Sequence, residues 1–146
     1  MGRRMLEVKG VNSAYGRAHI LYDLSLSANR GEVVVLLGRN GAGKSTTLKT
    51  LIGLVRPLAG EISFGGRRIE RLEPYRIARL GLGYVPEERR IFTGLSVTEN
   101  LEVGKQAPRA GAPQWTPEKL FHLFPNLAGM RERRGASMSE IGRAHV

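Results

Sequence analysis

The sequence predicts an α/β domain in which a glycine-rich loop connects a buried strand to a helix. Val33–Leu37 is a continuous β-branched and aliphatic run, which is typical of a parallel strand buried on both of its faces. Glycines follow this run at once, and residues 44–52 then favour a helix that Gly53 ends. Nearer the start of the chain, residues 5–11 and 19–27 predict two half-buried antiparallel strands. We expect Val33–Leu37 to be the central strand of the domain.

Downstream of the loop, strands and helices alternate, and their ends carry turn or capping residues. Pro74 at a first helical position predicts a helix that Gly81 ends. Ser96-Val97-Thr98-Glu99 has the spacing of a capping box, so a helix should begin there and run to about Val103. The other predicted elements are a strand at 61–64, a strand at 82–85, a loop at 107–113 and a short helix from 116.

The composition excludes several classes of protein. The 146 residues include no Cys, which excludes a disulfide scaffold and a Cys-based metal site. No apolar run approaches the roughly 20 residues that cross a bilayer, and Met1–Arg4 lacks the apolar stretch of a signal peptide. With 23 Lys and Arg against 13 Asp and Glu, the net charge of +10 favours an anionic partner such as nucleic acid, a lipid headgroup or phosphate.

The most specific motif is a phosphate-binding loop. Gly38–Ser45 fits the pattern G-x-x-x-x-G-K-[ST] and lies between a predicted strand and a predicted helix, the context that this motif requires. Glycines permit positive φ angles, so backbone N–H groups can converge on phosphate oxygens at the positive end of the helix. Lys44 would reach the β and γ phosphates, and the Ser45 hydroxyl would ligate Mg²⁺. The candidate nucleotide-binding residues here are Gly38, Asn40, Gly41, Ala42, Gly43, Lys44, Ser45 and Thr46.

The loop indicates a nucleoside triphosphate but does not identify the base. GTPases read guanine with an Asn-Lys-x-Asp element after the loop, and the last aspartate of this chain is Asp23. ATP is therefore the better candidate. Tyr15 lies 23 residues before Gly38 and could stack its ring on adenine. Local packing of a partly buried aromatic is the alternative for Tyr15.

Tyr15, Asn40–Thr46 and Gly83–Glu87, at their spacings, resemble the nucleotide-binding subunits of ABC transporters. The resemblance covers residues 5–139. It implies a phosphate-loop ATPase core with an N-terminal antiparallel β flap and a partial helical subdomain that begins at about residue 88. It also implies that Tyr15 is the aromatic that stacks on adenine.

A closer resemblance is to the branch that energises uptake of branched-chain amino acids. It rests on the segments 83–92, 95–101 and 133–139. In this family Glu87 stands where most members carry the glutamine of the Q-loop, and a carboxylate there can still ligate Mg²⁺ or orient water. A solvated acidic turn is the alternative for Glu87. An ABC ATPase for another solute, such as urea or short amides, stays open because the solute is chosen by the binding protein and the permease.

The resemblance implies transmembrane permease subunits, a second ABC ATPase subunit that is identical or a sister, and indirectly a solute-binding protein. It places the protein peripherally on the cytoplasmic face of the plasma (inner) membrane. Ile91, Phe92 and Leu95 would then contact the permease, although core positions within the helical subdomain are equally compatible with them. The pair Arg89-Arg90 could face lipid headgroups or acidic permease groups, or be solvated surface. A nucleic-acid-binding module is the remaining alternative, but the aromatic residues are not interleaved with Arg, so no nucleic-acid partner is expected.

Several family features are missing from the sequence. After Ser139 the family pattern requires Gly-Gly and an acidic or amide residue, whereas the chain reads Glu140–Val146. No apolar run followed by Asp and Glu occurs after the phosphate loop, so no complete catalytic set is predicted: the Walker B carboxylates and the switch histidine are both absent. Residues 140–146 resemble the translation of a common sequencing adapter. We therefore expect residues 1–139 to be the N-terminal part of a single ABC ATPase domain without its C-terminal part, 140–146 to be a foreign tail, and Val33–Leu37 to expose apolar surface.

Overall fold

The computed structural model describes residues 4–88, 90–105, 107–108 and 111–138. It divides the chain into two compact units, Met1–Tyr84 and Val85–Val146. Three predicted features lie outside the described residues: Arg89 of the basic pair, Ser139 of the segment that resembles the signature motif, and the expected foreign tail at 140–146. No helix among the described residues is long and apolar enough to span a membrane.

The first unit is built on a four-stranded sheet with the order β2-β1-β3-β4, in which every pair of neighbours is antiparallel. The two predicted N-terminal strands are confirmed, and both are longer than the sequence indicated. A two-residue turn at Gly16-Arg17 joins them, with Gly16 at a φ of 57°. The strands are β1 (Arg4–Tyr15), β2 (Ala18–Asn29), β3 (Ala59–Phe64) and β4 (Arg67–Arg68).

Two helices pack with the sheet around one apolar core. They are α1 (Lys44–Leu51) and α2 (Pro74–Arg79), and their predicted starts are confirmed. Val8 and Ile62 of the sheet and Ile77 of α2 are each at most 1% exposed. Burial of these branched side chains stabilises this unit, since fully burying one such side chain contributes about 1.5–3 kcal/mol.

The strands predicted at Val33–Leu37 and at 82–85 do not form. Residues 32–39 and 82–86 have no regular secondary structure. Val33 and Leu37 are each 88% exposed and Val85 is 89% exposed, so the prediction that Val33–Leu37 is buried on both faces is wrong. A strand needs a neighbour to pair with its N–H and C=O groups, and no described strand lies beside either run. The expectation that Val33–Leu37 exposes apolar surface is confirmed.

The second unit is helical among its described residues. It contains α3 (Val97–Val103), α4 (Pro117–Leu123), α5 (Pro125–Ala128) and a single 3₁₀ turn (Gly135–Ser137). The capping box predicted for α3 is confirmed: the Ser96 hydroxyl accepts from Glu99 N–H and the Glu99 carboxylate accepts from Ser96 N–H. The helix predicted from residue 116 is also confirmed, since Thr116 caps α4. Buried Val97, Phe121, Leu127 and Met138 form the core.

Candidate functional site

The glycine-rich loop leads into α1 through two backbone conformations that glycine adopts far more easily than other residues. Gly41 and Gly43 have φ angles of 84° and 90°, in the left-handed region. A Cβ on Gly43 would lie 2.8 Å from Cδ2 of Leu21 in β2, so the loop packs directly against the sheet. This contact with the sheet therefore fixes the position of the backbone where the loop enters α1.

The ammonium group of Lys44 lies over the start of the loop. Its Nζ donates to the carbonyl oxygens of Gly38, at 2.7 Å, and Arg39, at 2.9 Å. The Ala42 N–H donates to the same Arg39 oxygen at 3.1 Å, which closes the loop into a tight turn. Because a Lys ammonium has three protons, one donor remains after these two bonds. A positive charge and a helix N-terminus thus converge where phosphate would bind.

Buried threonines hold α1 in place below the loop. Thr47 donates from both its N–H and its hydroxyl to the Gly43 carbonyl, at 2.8 and 2.9 Å. The Thr50 hydroxyl donates to the Thr46 carbonyl at 2.8 Å and lies 3.2 Å from Oγ of Ser13 in β1. The sequence argument missed Thr50 and Ser13. The spacing of Thr46 and Thr50 is a readable signal for a hydroxyl that bonds back to a carbonyl within a helix, whereas the contact with Ser13 has no local signal.

The donor chemistry around Ser45 fits a divalent cation bound together with phosphate. Ser45 lies in the first turn of α1, and its side chain is exposed. Within the described part of the chain, no group of three or more His, Asp or Glu side chains could hold a metal ion. A cation at Ser45 would therefore take most of its oxygen ligands from phosphate and water, which is how Mg²⁺ is usually held beside nucleotides.

The predicted adenine-stacking residue and the second predicted Mg²⁺ ligand lie in different units. Tyr15 ends β1 in the first unit and is 49% exposed, so part of its ring is accessible for stacking. Glu87 is exposed and belongs to the second unit.

The segment predicted to contact a permease is held by Asn100 of α3. The Asn100 Oδ1 accepts from Phe92 N–H at 2.8 Å, and its Nδ2 donates to the carbonyls of Phe92 and Ser96 at 3.0 and 2.9 Å. Ile91 packs against the core of the second unit, which favours the core alternative for that residue, while Phe92 is 59% exposed. Leu95 is partly buried. The role of Asn100 was missed by the sequence argument.

The chain was compared with protein families and with curated relatives. The sequence pattern of the ABC transporter family matches residues 21–144. The high-affinity branched-chain amino acid transport ATP-binding protein BraG of Pseudomonas aeruginosa is 38% identical over 135 residues, covering 92% of this chain and 58% of the relative. The lipopolysaccharide export system ATP-binding protein LptB of Escherichia coli is 44% identical over 143 residues, covering 97% and 59%. The chain thus spans less than two thirds of the length of these relatives.

Solved structures give the same result for the fold. The structure of an ATP-binding subunit of an ABC transporter matches 97% of this chain and 58% of its own, with a TM-score of 0.81 and 32% identity. A dimeric ATP-binding cassette bound to ADP and Pi matches with a TM-score of 0.76 at 21% identity, which supports the fold alone. The predicted fold class is confirmed by these matches. With most of its length matched by the family pattern, the chain belongs to the ABC transporter family.

Proposed function

We propose that this chain is the nucleotide-binding part of an ATPase subunit that energises an ABC transporter. The observation that carries the proposal is the loop at 38–45, where Lys44 lies over the start of the loop and α1 begins at once. This arrangement offers a cation and a helix N-terminus to a polyphosphate.

The proposed nucleotide is ATP. The amides from Asn40 to Thr46 and the Lys44 ammonium would hold the phosphates, and Tyr15 would stack on adenine. Ser45 would ligate Mg²⁺, which when bound neutralises charge on the phosphates. Glu87 is kept as a candidate metal ligand on the resemblance alone. We assign nucleotide binding to these residues.

The proposed partners are transmembrane permease subunits and a second ATPase subunit, with the protein peripheral to the cytoplasmic face of the plasma membrane. The names of the curated relatives support a transport role, and the resemblance to the family implies the pairing of two ATPase subunits. Exposed Phe92 is the residue best placed to meet a permease, because Asn100 bonds to both its N–H and its C=O and so fixes its backbone. We further propose that the second unit is the start of the family's helical subdomain.

For the solute, we propose import of branched-chain amino acids, supported by the BraG relative and by the motifs of residues 83–101. A specific observation favours a second candidate: LptB relatives match at similar or higher identity, so a role in lipopolysaccharide export competes with amino-acid import. An importer of urea or short amides is the third candidate.

The test is reconstitution of the full-length protein with each type of membrane partner. If the proposal is correct, the protein co-purifies with an amino-acid permease, and leucine-loaded binding protein raises ATP hydrolysis by proteoliposomes that contain both. The Lys44→Ala variant, which keeps the docking segment unchanged, should co-purify equally and hydrolyse no ATP above background. If only lipopolysaccharide export partners raise ATP hydrolysis, the protein serves lipopolysaccharide export and the importer proposal is wrong. Failure of the wild-type protein to bind ATP would overturn both.

A further inference from the structure

Ser13 and Thr50 form a buried contact between the strand that carries Tyr15 and the helix that follows the phosphate loop. Their hydroxyl oxygens are 3.2 Å apart. Ser13 is 0% exposed and Thr50 is 2% exposed, so the contact is shielded from water. A polar pair at such a position is retained only where its hydrogen bonds are satisfied, and it then fixes the geometry of the elements it joins.

The direction of this hydrogen bond follows from the number of protons. Each hydroxyl has one proton, and the Thr50 hydroxyl donates its own to the Thr46 carbonyl at 2.8 Å. Ser13 must therefore be the donor to Thr50. The two hydrogen bonds thus connect Ser13 of β1 through the Thr50 hydroxyl to the Thr46 carbonyl, in the first turn of α1, where the loop ends.

The local structure of β1 directs Ser13 towards α1. The pairing of β1 with β2 shifts register between Val11 and Ser13 and again between Ser13 and Ala14. Register shifts of this kind re-aim individual side chains and are frequent beside functional sites. Tyr15 follows two residues later at the end of the same strand. One irregular stretch of backbone thus presents both the Ser13 hydroxyl and the Tyr15 ring.

We propose that Ser13 and Thr50 are positioning residues that set the separation between the Tyr15 ring and the phosphate loop. This inference rests on the proposed function, since it assumes that adenine binds at Tyr15 and the phosphates bind at the loop. ATP contacts both ends of the site at once, whereas inorganic tripolyphosphate contacts the loop alone. A change in the separation must therefore weaken the binding of ATP more than the binding of tripolyphosphate.

The test compares these two ligands by calorimetry on the full-length protein and its variants. Thr50→Val keeps the shape of the side chain and removes the hydroxyl, and Ser13→Ala removes the donor. Each should raise the Kd for ATP about three- to tenfold while the Kd for tripolyphosphate stays within about twofold. Thr50→Ser, which keeps the hydroxyl, should restore the wild-type Kd for ATP. Circular dichroism at the same temperature establishes that each variant is folded.

The outcomes separate this inference from the proposed function. Equal weakening of both ligands would overturn the inference, because the contact would then support only the loop or the fold. Unchanged ATP affinity in both Ser13→Ala and Thr50→Val would overturn it as well. In either case the proposed function stands if the wild-type protein binds ATP and Lys44→Ala does not. If Tyr15→Ala leaves the Kd for ATP unchanged, base stacking at Tyr15 is absent and both the inference and the assignment of Tyr15 are wrong.

Discussion

Two helices of this protein begin in opposite ways. The start of α3 is closed by its own side chains, since Ser96 and Glu99 each accept a hydrogen bond from the other's backbone N–H. The start of α1 is Gly43 in the left-handed conformation, and no side chain among the described residues caps it. Helix N-termini leave backbone donors that side chains, water or ligands must satisfy. Side chains of the chain meet this requirement at α3, whereas at α1 no described side chain caps the helix.

The charges beside the two helix starts also differ: a carboxylate lies at the start of α3 and an ammonium group at the start of α1. An anion that approached α3 would meet the Glu99 carboxylate, and the pKa of Glu99 is lowered by the hydrogen bond from Ser96 N–H, by the Ser96 hydroxyl and by the charge of Arg134. An anion that approached α1 would meet the Lys44 ammonium. The residue before each helix and the charge beside it therefore differ between the two starts: a serine cap with a carboxylate at α3, and a left-handed glycine with an ammonium group at α1.

The largest expected effect comes from giving the start of α1 a side chain. Gly43→Ala should lower the free energy of unfolding by about 2–4 kcal/mol, because a left-handed alanine costs about 1–2 kcal/mol and the clash with Leu21 adds the cost of overpacking. Gly41→Ala is the matched control: its φ is 84°, but no atom lies within 4 Å of the added Cβ. Gly41→Ala should lower the free energy of unfolding only by the cost of a left-handed alanine. Equal losses for the two variants in denaturant titrations would show that the contact with β2 is unimportant.

The next effect concerns the charge beside α1. Lys44→Ala should weaken ATP binding at least about tenfold, because charge-assisted hydrogen bonds contribute roughly 1.5–3 kcal/mol each. Lys49→Ala makes the same change of charge in the last turn of α1, so it serves as the control and should leave the Kd nearly unchanged. Calorimetry on the full-length protein measures both. Equal affinity for wild type and Lys44→Ala would remove the distinction between the two helix starts.

A smaller effect is expected at the self-capped helix. Ser96→Ala should destabilise α3 by about 0.5–2 kcal/mol, the usual range for loss of an N-cap, and should leave ATP affinity unchanged. Hydrogen exchange of the α3 amides measures the first and calorimetry the second. Ser27→Ala, on an exposed position of β2, repeats the chemical change without a cap. Protection of α3 that is unaffected by Ser96→Ala would show that packing of Val97, rather than the cap, fixes the start of this helix.

The smallest effect is the pH dependence of the same cap. Because the folded state lowers the pKa of Glu99, the cap stabilises α3 fully above the pKa of an unfolded glutamate, about 4.3, and this contribution is lost as the pH falls through the lower folded value. Protection of the α3 amides should therefore decrease on acidification below about pH 4.3. Glu99→Gln should remove this dependence and Ser96→Ala should reduce it only in part, because the backbone N–H of residue 96 still donates to Glu99; the double variant should do no more than Glu99→Gln alone. Additive effects would mean that the two side chains act separately.

The sequence predicted both helix starts because their signals are local. Ser96 and Glu99 are three residues apart, and the loop before α1 is read from eight consecutive residues. The prediction of a buried strand at Val33–Leu37 was wrong because its signal is not local. Its composition indicates that it should be buried, but a strand also needs a partner, and the sequence of a strand does not say which segment will pair with it. In the described structure no neighbour is present and the run is exposed.

The same limit applies within the candidate site. Lys44 and Ser45 could be assigned because the loop motif fixes their roles by spacing. Ser13 and Thr50 are 37 residues apart, and their contact depends on register shifts in β1 that no residue pattern announces. Ile91 was open between a partner surface and the core, and its packing against the second core could be decided only from coordinates. Contacts between distant segments are thus where sequence reasoning stopped.

The two carbonyl contacts of Lys44 bear on the entropy of binding. A free lysine side chain has about 2 kcal/mol of rotamer entropy to lose when its ammonium becomes fixed. Here the Gly38 and Arg39 oxygens already restrict that chain to conformations that keep Nζ over the loop. A phosphate that bound at the proposed site would therefore meet a cation whose conformational freedom was mostly lost during folding, and less of the interaction enthalpy would be offset by ordering the side chain.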